Sequence, residues 1–269
     1  MSDSEDGAGV PLIESISGSP APENGSKRKR GEEEAKQSKR AKRRKNKKPK
    51  DVDDEDLDEA KGLNRSIGRM DSRLLADYMA QRTRRFEPDL SMVELEDRYV
   101  PEKAIRDTSS WDSERTLDHL PGFVEKFSEG ELKKAPKSNG APHTIVVAAS
   151  GIRAADVTRG LRKFEEKGTK VAKLFAKHIK LKEAIESCKR LKMNFGVGTP
   201  ARISDLLADG ALSTSNLKRI VIDASYIDVK KRGIMDMKET QVPLAQLLGR
   251  EELKSRYGQE EGGIELVFY

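Results

Sequence analysis

Residues 193–226, MNFGVGTPARISDLLADGALSTSNLKRIVIDASY, read as strand, turn, helix, loop and strand in succession. The mostly apolar run from Met193 to Val197 stops at Gly198, and Thr199 and Pro200 stand where a helix begins. A threonine oxygen can accept from an otherwise unpaired N–H of the first turn. Proline at the first helical position has a suitable φ and lacks only an N–H that had no partner. Ile203, Leu206 and Leu207 recur at helical spacing until Gly210 can end the helix. A second apolar run, Ile220, Val221 and Ile222, delivers Asp223 to the carboxyl end of a strand. Open α/β sheets place their ligands on that side, so this stretch is expected to build one wall of a site.

The same alternation extends outward. Strands are expected at 144–149, 171–175, 193–197, 220–223 and 264–269. Helices are expected near 153–167, 181–191 and 200–208, with one or two more between 229 and 256. A short helix at 121–127 and a polar loop at 134–142 precede them. Strands alternating with helices mean a mostly parallel sheet covered on both faces, hence an α/β domain spanning 116–269. The sequence closes on a strand, so no second lobe of similar size is expected. Upstream, 61–115 is expected to wrap this domain as a helical and extended arm. Asp71 caps a helix there, with Leu74, Leu75, Tyr78 and Met79 on one face, ending near Arg82, Arg84 and Arg85. Ser91 and Glu94 have the spacing of a capping box. The single tryptophan, Trp111, is expected to anchor the arm on the domain rather than to stack on a base.

Charge is strongly segregated along the 269 residues, although the net formal charge is only +6. Residues 27–50 carry +11, flanked by −5 over 1–26 and −7 over 51–60, which leaves +7 for 61–269. Residues 1–60 have almost no large apolar side chains to offset the entropy of ordering and are expected to be a disordered, charged tail. Two basic clusters lie in it. Lys27, Arg28, Lys29 and Arg30 form the first; Lys39, Arg40, Lys42, Arg43, Arg44 and Lys45, followed by Lys47 and Lys48, form the second. They match a nuclear or nucleolar address that also holds phosphates, the alternative being a solvated charge run without a receptor.

The lone Cys188 allows no disulfide framework and no cysteine-based metal site within the chain, which fits a reducing compartment. The start, with Asp3, Glu5 and Asp6, lacks the pattern of a secretory signal, and no apolar run is long enough to span a bilayer. A soluble intracellular protein with no membrane partner is expected. His119, His143 and His178 show no ligand pairing and no neighbouring nucleophile motif. Neither a metal site nor a small-molecule substrate is expected.

Three segments carry a resemblance. Gly196 to Arg202, GVGTPAR, resembles the V-G-T-P-G-R segment of DEAD-box RNA helicases. IVIDASY at 220–226 resembles that family's V-L-D-E-A-D strand after loss of the Glu and the final Asp, and IVVAAS at 145–150 is similar to the strand leading into A-P-T-R-E-L-A. The resemblance implies a single RecA-like domain akin to the first helicase lobe. It also implies RNA contact at Ser150, Gly198, Thr199, Pro200 and Arg202; Ala201 replaces a family Gly, and Gly151 falls where an RNA-touching Arg would be. A helix start with a nearby Arg is in any case a reasonable phosphate site, although capped helix starts are ordinary in α/β domains. The catalytic side is depleted. No G-x-x-x-x-G-K-[ST] loop occurs anywhere in the sequence, and Ala224 stands where the water-orienting Glu belongs.

The acidic-flanked basic tail, the stretches LNRSI at 63–67 and DSRLLADY at 71–78, and VGTPAR at 197–202 together resemble one narrower group, the U3-containing 90S pre-ribosomal complex subunit family. What that implies is a nucleolar, non-enzymatic assembly factor of early small-subunit ribosome biogenesis, with pre-ribosomal RNA and proteins as partners and no cofactor. Two alternatives stay open: a nucleotide-dependent remodeller that borrows a partner's phosphate loop, and a DNA-associated nuclear regulator.

Overall fold

The structure is a computed structural model that describes residues 54–269 apart from 129, 131, 177 and 178. The two basic clusters between Lys27 and Lys48, and His178, lie outside the described residues. In chain order the described elements are β1 (Leu57–Asp58), β2 (Leu63–Asn64), α1 (Ser72–Phe86), α2 (Met92–Asp97), α3 (Leu120–Lys126), β3 (Thr144–Val147), α4 (Gly151–Leu161), β4 (Lys170–Leu174), α5 (Leu181–Arg190), β5 (Met193–Gly198), α6 (Pro200–Asp209), β6 (Arg219–Ile222), α7 (Lys238–Leu248), α8 (Glu251–Lys254) and β7 (Glu265–Phe268).

Strands β3 to β7 form one five-stranded sheet in the order β4-β5-β3-β6-β7, and all four neighbouring pairs are parallel. The period of two in a strand sorts the apolar residues onto two faces. Ile145, Val147, Leu174, Ile220, Ile222, Leu266 and Phe268 join one buried cluster with Leu75, Met79, Ala184, Ile203, Leu206, Leu244 and Leu248 from helices α1, α5, α6 and α7. Val146, Val171, Phe195, Val197, Val221 and Val267 join the other with Leu120, Phe123 and Val124 of α3 and Ala154, Val157 and Leu161 of α4. The molecule is thus α/β, with a parallel sheet flanked by helices on both faces. Its inner strands β3, β5 and β6 are buried throughout because neither face meets water, whereas the edge strand β4 exposes Lys170 and Lys173.

Each outer edge of the sheet makes a hydrogen bond with a neighbouring segment. Beyond β7, Arg106 N donates to Leu266 O at 2.8 Å, and Ile105 pairs with Leu266 in a parallel bridge. On the β4 side the outward N–H of Val171 donates to Glu165 Oε1 at 3.1 Å. Within the sheet, β4 and β5 approach so closely that a Cβ on Gly198 would stand 2.0 Å from Leu174 O. Only glycine fits there.

Residues upstream of the sheet pack into the same core. Asp71 caps α1 by accepting from Leu74 N at 2.9 Å, and Ser91 and Glu94 complete a reciprocal capping box on α2. The expected apolar face of α1 needs one correction. Leu75 and Met79 are buried, whereas Leu74 is 53% exposed, because the helix turns Ala76, Arg82 and Thr83 inward instead. There Thr83 Oγ1 accepts from Gln241 Nε2 at 2.9 Å, and Arg82 lies 3.2 Å from Asp236 in a buried pair. Trp111 packs edge-on against Phe123, with ring centroids 5.4 Å apart. Leu57–Asp58, inside the stretch expected to lack structure, pairs antiparallel with Leu63–Asn64.

Candidate functional site

The parallel sheet brings the sequence-selected residues to its carboxyl edge. Because Val147 pairs with Gly198 and with Ile222, the segments leaving β3, β5 and β6 emerge side by side. Ala148 N donates to Gly198 O at 2.9 Å, and Asp223 N donates to Val147 O at 3.0 Å. Ser150, Gly198, Thr199, Pro200 and Asp223 therefore share one rim.

The two helix starts on this rim differ. Ser150 is exposed and caps α4, its Oγ accepting from Arg153 N at 3.2 Å. Thr199 occupies the cap position of α6 with extended backbone, φ −94° and ψ 151°, yet its side chain makes no capping hydrogen bond. That corrects the expectation from sequence: Pro200 removes one unpaired donor of the first turn, and Thr199 contributes only its carbonyl, which accepts the first regular helical bond from Ile203 N at 3.0 Å. At the other end Gly210 closes α6 in the left-handed region, φ 78°, as expected. Arg202 is partly buried, and its Nη1 donates to the Ile179 carbonyl at 3.1 Å, which fixes the guanidinium between α6 and the loop before α5.

Asp223 is 2% exposed and fully engaged. Arg153, 8% exposed in the first turn of α4, donates from Nε to Oδ2 at 2.7 Å and from Nη2 to Oδ1 at 3.0 Å. The guanidinium carbon sits 4.2 Å from the centre of the Tyr226 ring. Burial works against the Arg153 charge, but Asp223, by its charge and its hydrogen bonds, holds the guanidinium above its ordinary pKa, with Tyr226 and Asp156 helping. Burial likewise pushes the Tyr226 hydroxyl up. A bidentate pair of this kind uses both carboxylate oxygens at close range. Chemically, Asp223 is a counter-ion to a fixed internal cation, and the methyl group of Ala224 beside it can neither accept nor donate a proton.

The rim is also covered. Asn64 N donates to Ser225 O at 2.7 Å, Ile227 N donates to Gly62 O at 2.9 Å, and Leu63 bridges to Tyr226, so the β1–β2 ribbon seats against the segment leaving β6. Ala224 N and Ser225 N both donate to Tyr269 O, at 2.8 and 2.7 Å.

Sequence reasoning singled out Asp223 but missed Arg153. A signal was present: Arg153 precedes Val157 by four residues and Leu161 by eight, so the helical repeat alone puts it on the inward face. A cation at such a position calls for a buried anion. Elsewhere Cys188 is buried, and desolvation pushes its thiol up to about 11, which makes it unreactive. Among the described residues no group of three His, Cys, Asp or Glu could hold a metal ion, and no helix is long and apolar enough to cross a membrane.

Fold and site together define a class: a parallel α/β domain whose carboxyl-edge aspartate is locked in a buried ion pair. Residues 21–269 match the family described as U3-containing 90S pre-ribosomal complex subunit, and the chain belongs to that family. It is similar to Protein CMS1 of Chaetomium thermophilum, with 55% identity over 219 residues that span 81% of this chain and 87% of the relative. Protein cms1 of Schizosaccharomyces pombe is 35% identical over 166 residues, 62% of this chain and 59% of the relative. Protein CMSS1 of Homo sapiens is 29% identical over 176 residues, 65% of this chain and 59% of the relative. The chain thus spans most of the first relative and less than two thirds of the other two.

Proposed function

We propose that this protein is a non-enzymatic assembly factor of early small-subunit ribosome biogenesis, acting in the nucleolus on pre-ribosomal RNA and proteins through a RecA-like domain that has lost its ATPase site. One observation carries the non-enzymatic part. The aspartate that a nucleotide hydrolase of this resemblance would direct at a metal-bound triphosphate is instead bonded by both oxygens to Arg153. Phosphoryl transfer depends almost wholly on positioning and electrostatic stabilisation, and here the charge is already neutralised from within. The described family supports the assembly role. On this reading the exposed Ser150, the backbone at Gly198, Thr199 and Pro200, and the clamped Arg202 offer a modest phosphate contact on the carboxyl rim, and the basic clusters from Lys27 to Lys48 direct the protein to RNA-dense nuclear bodies.

ATP turnover by purified full-length protein, measured with and without RNA, tests the reading. No turnover above buffer is expected. RNA-stimulated turnover that persists through successive purification steps would overturn it.

A further inference from the structure

Strand β4 ends the sheet on the side away from β7, and its outer edge is only partly paired. Alternate residues of a strand turn their backbone groups to opposite sides within the sheet. Lys170 N donates toward β5, to Lys192 O at 3.1 Å, so Val171 and Lys173 turn their groups outward. Glu165 Oε1 accepts from Val171 N at 3.1 Å. The Val171 carbonyl and both the N–H and the carbonyl of Lys173 have no partner among the described residues. We propose that this edge takes up an extended peptide of a partner protein by strand addition, and that the peptide alternates acidic and apolar residues. The proposal goes beyond the assembly reading and does not depend on RNA contact at the carboxyl rim.

The two faces of the edge set the alternation. A groove of about 500 Å³ is lined by β4, by residues of α5 and by the turn that follows α4. Successive side chains of an added strand point to opposite faces. On one face they meet Ile179, Ala184 and Leu191, which line the groove and pack with the cluster that α5 joins. On the other face Val171 joins the cluster of α4, so Lys173, two residues further, projects on that side, where Arg162 follows α4 and also lines the groove. Apolar residues of the incoming strand suit the first face and carboxylates suit the second. At about 3.3 Å per residue the five residues of β4 give an edge of about 16 Å, so the partner contributes about five residues.

Charge narrows the choice of occupant. From Lys167 to Lys182 the chain carries six lysines and one histidine and no aspartate or glutamate. Glu165, the one carboxylate lining the groove, lies 3.4 Å from Lys170 Nζ, and Lys173 and Arg162 are exposed with no acidic partner among the described residues. Lysines on an edge strand resist pairing with a like strand. A second copy docked edge to edge across a two-fold axis would bring these cations toward their own equivalents, whereas a carboxylate opposite Lys173 gains a cross-strand ion pair. The backbone and the groove favour a peptide over RNA, because a phosphate chain uses neither paired N–H and C=O groups nor an apolar wall.

The test uses the full chain and a fluorescent peptide of alternating valine and glutamate. Polyglutamate, the same peptide N-methylated throughout, and poly(U) RNA serve as controls. Lys173→Pro removes the outward N–H without touching a bond to β5, since proline is tolerated on the free side of an edge strand. Lys173→Glu reverses the charge and leaves the backbone intact, so it decides the matter if thermal unfolding shows the proline variant to be misfolded. The alternating peptide should bind the wild-type protein, the N-methylated peptide should not, and each folded variant should weaken binding about tenfold or more. Hydrogen exchange at Lys173 should slow in the complex. No binding of the alternating peptide, binding unaltered by Lys173→Glu, or equal binding of polyglutamate would overturn the proposal. Poly(U) binding lost in Lys173→Glu while the peptide fails to bind would give the edge to RNA, and a concentration-dependent dimer lost in Lys173→Glu would give it to a second copy; either result overturns the proposal. Sedimentation with pre-ribosomal particles by a protein that binds no peptide would leave the assembly role standing.

Discussion

Arg153 and Asp223, 70 residues apart in sequence, meet in a two-pronged buried ion pair with contacts of 2.7 and 3.0 Å at the carboxyl edge of the sheet. The pair ties the first turn of α4 to the end of β6. It also decides what this edge can do, because a carboxylate that neutralises an internal guanidinium is not available to a hydrated cation.

Breaking the pair from one side should be costly. Asp223→Ala leaves Arg153 buried without its anion, and about 3–5 kcal/mol of stability should be lost. Replacing both residues with apolar ones of similar volume, Arg153→Met with Asp223→Leu, should cost far less than the sum of the single changes. Urea unfolding of the four proteins in a double-mutant cycle measures this. A cost for Asp223→Ala no larger than that of a surface substitution would contradict the structural role.

Two glycines should respond very differently to alanine. At Gly198 the new methyl would lie 2.0 Å from the Leu174 carbonyl oxygen, so β4 and β5 must separate and the protein should fail to accumulate in soluble form. At Gly210 nothing lies within 4 Å, and only the left-handed φ of 78° is strained. That should cost about 1 kcal/mol. Soluble yield and thermal unfolding distinguish the two.

Acid should destabilise the fold through His143. Its pKa falls from an ordinary 6.5 to about 4 in the folded protein, chiefly by burial. Between these values the unfolded chain binds a proton that the native state refuses, so stability is full above about pH 6.5 and declines as pH drops toward 4, by on the order of 3 kcal/mol. Unfolding free energy measured against pH should show this slope, and His143→Gln should flatten it. A slope unchanged by the substitution would place the titrating group elsewhere.

Much of this architecture is legible in the residues themselves. The apolar runs at Ile145, Val171, Phe195, Ile220 and Leu266, separated by helical repeats, give a parallel α/β sheet because crossover helices must cover both faces. Gly210 and Asp71 marked helix ends by local chemistry that tertiary packing did not override. What escaped reading is non-local. The Arg153–Asp223 pair depends on β3 and β6 lying side by side, which no local window contains. Leu74 faces solvent because α1 turns Arg82 and Thr83 toward Asp236 and Gln241, partners far along the chain.

Location should follow the tail. Residues 27–50 carry +11, whereas 61–269 carry +7 spread over a much longer stretch. A fluorescent fusion of 61–269 should lose nucleolar accumulation, and a fusion of 1–60 should gain it. Accumulation of 61–269 unaided would place the address in the folded domain.

The most direct test of the central claim is sedimentation of the endogenous protein through a gradient, with RNA crosslinked to it sequenced from each fraction. The account predicts that the protein travels with large pre-ribosomal particles and is crosslinked to pre-ribosomal RNA, and that depleting ATP before lysis does not release it. Sedimentation with chromatin, or as free protein without ribosomal RNA attached, would contradict it.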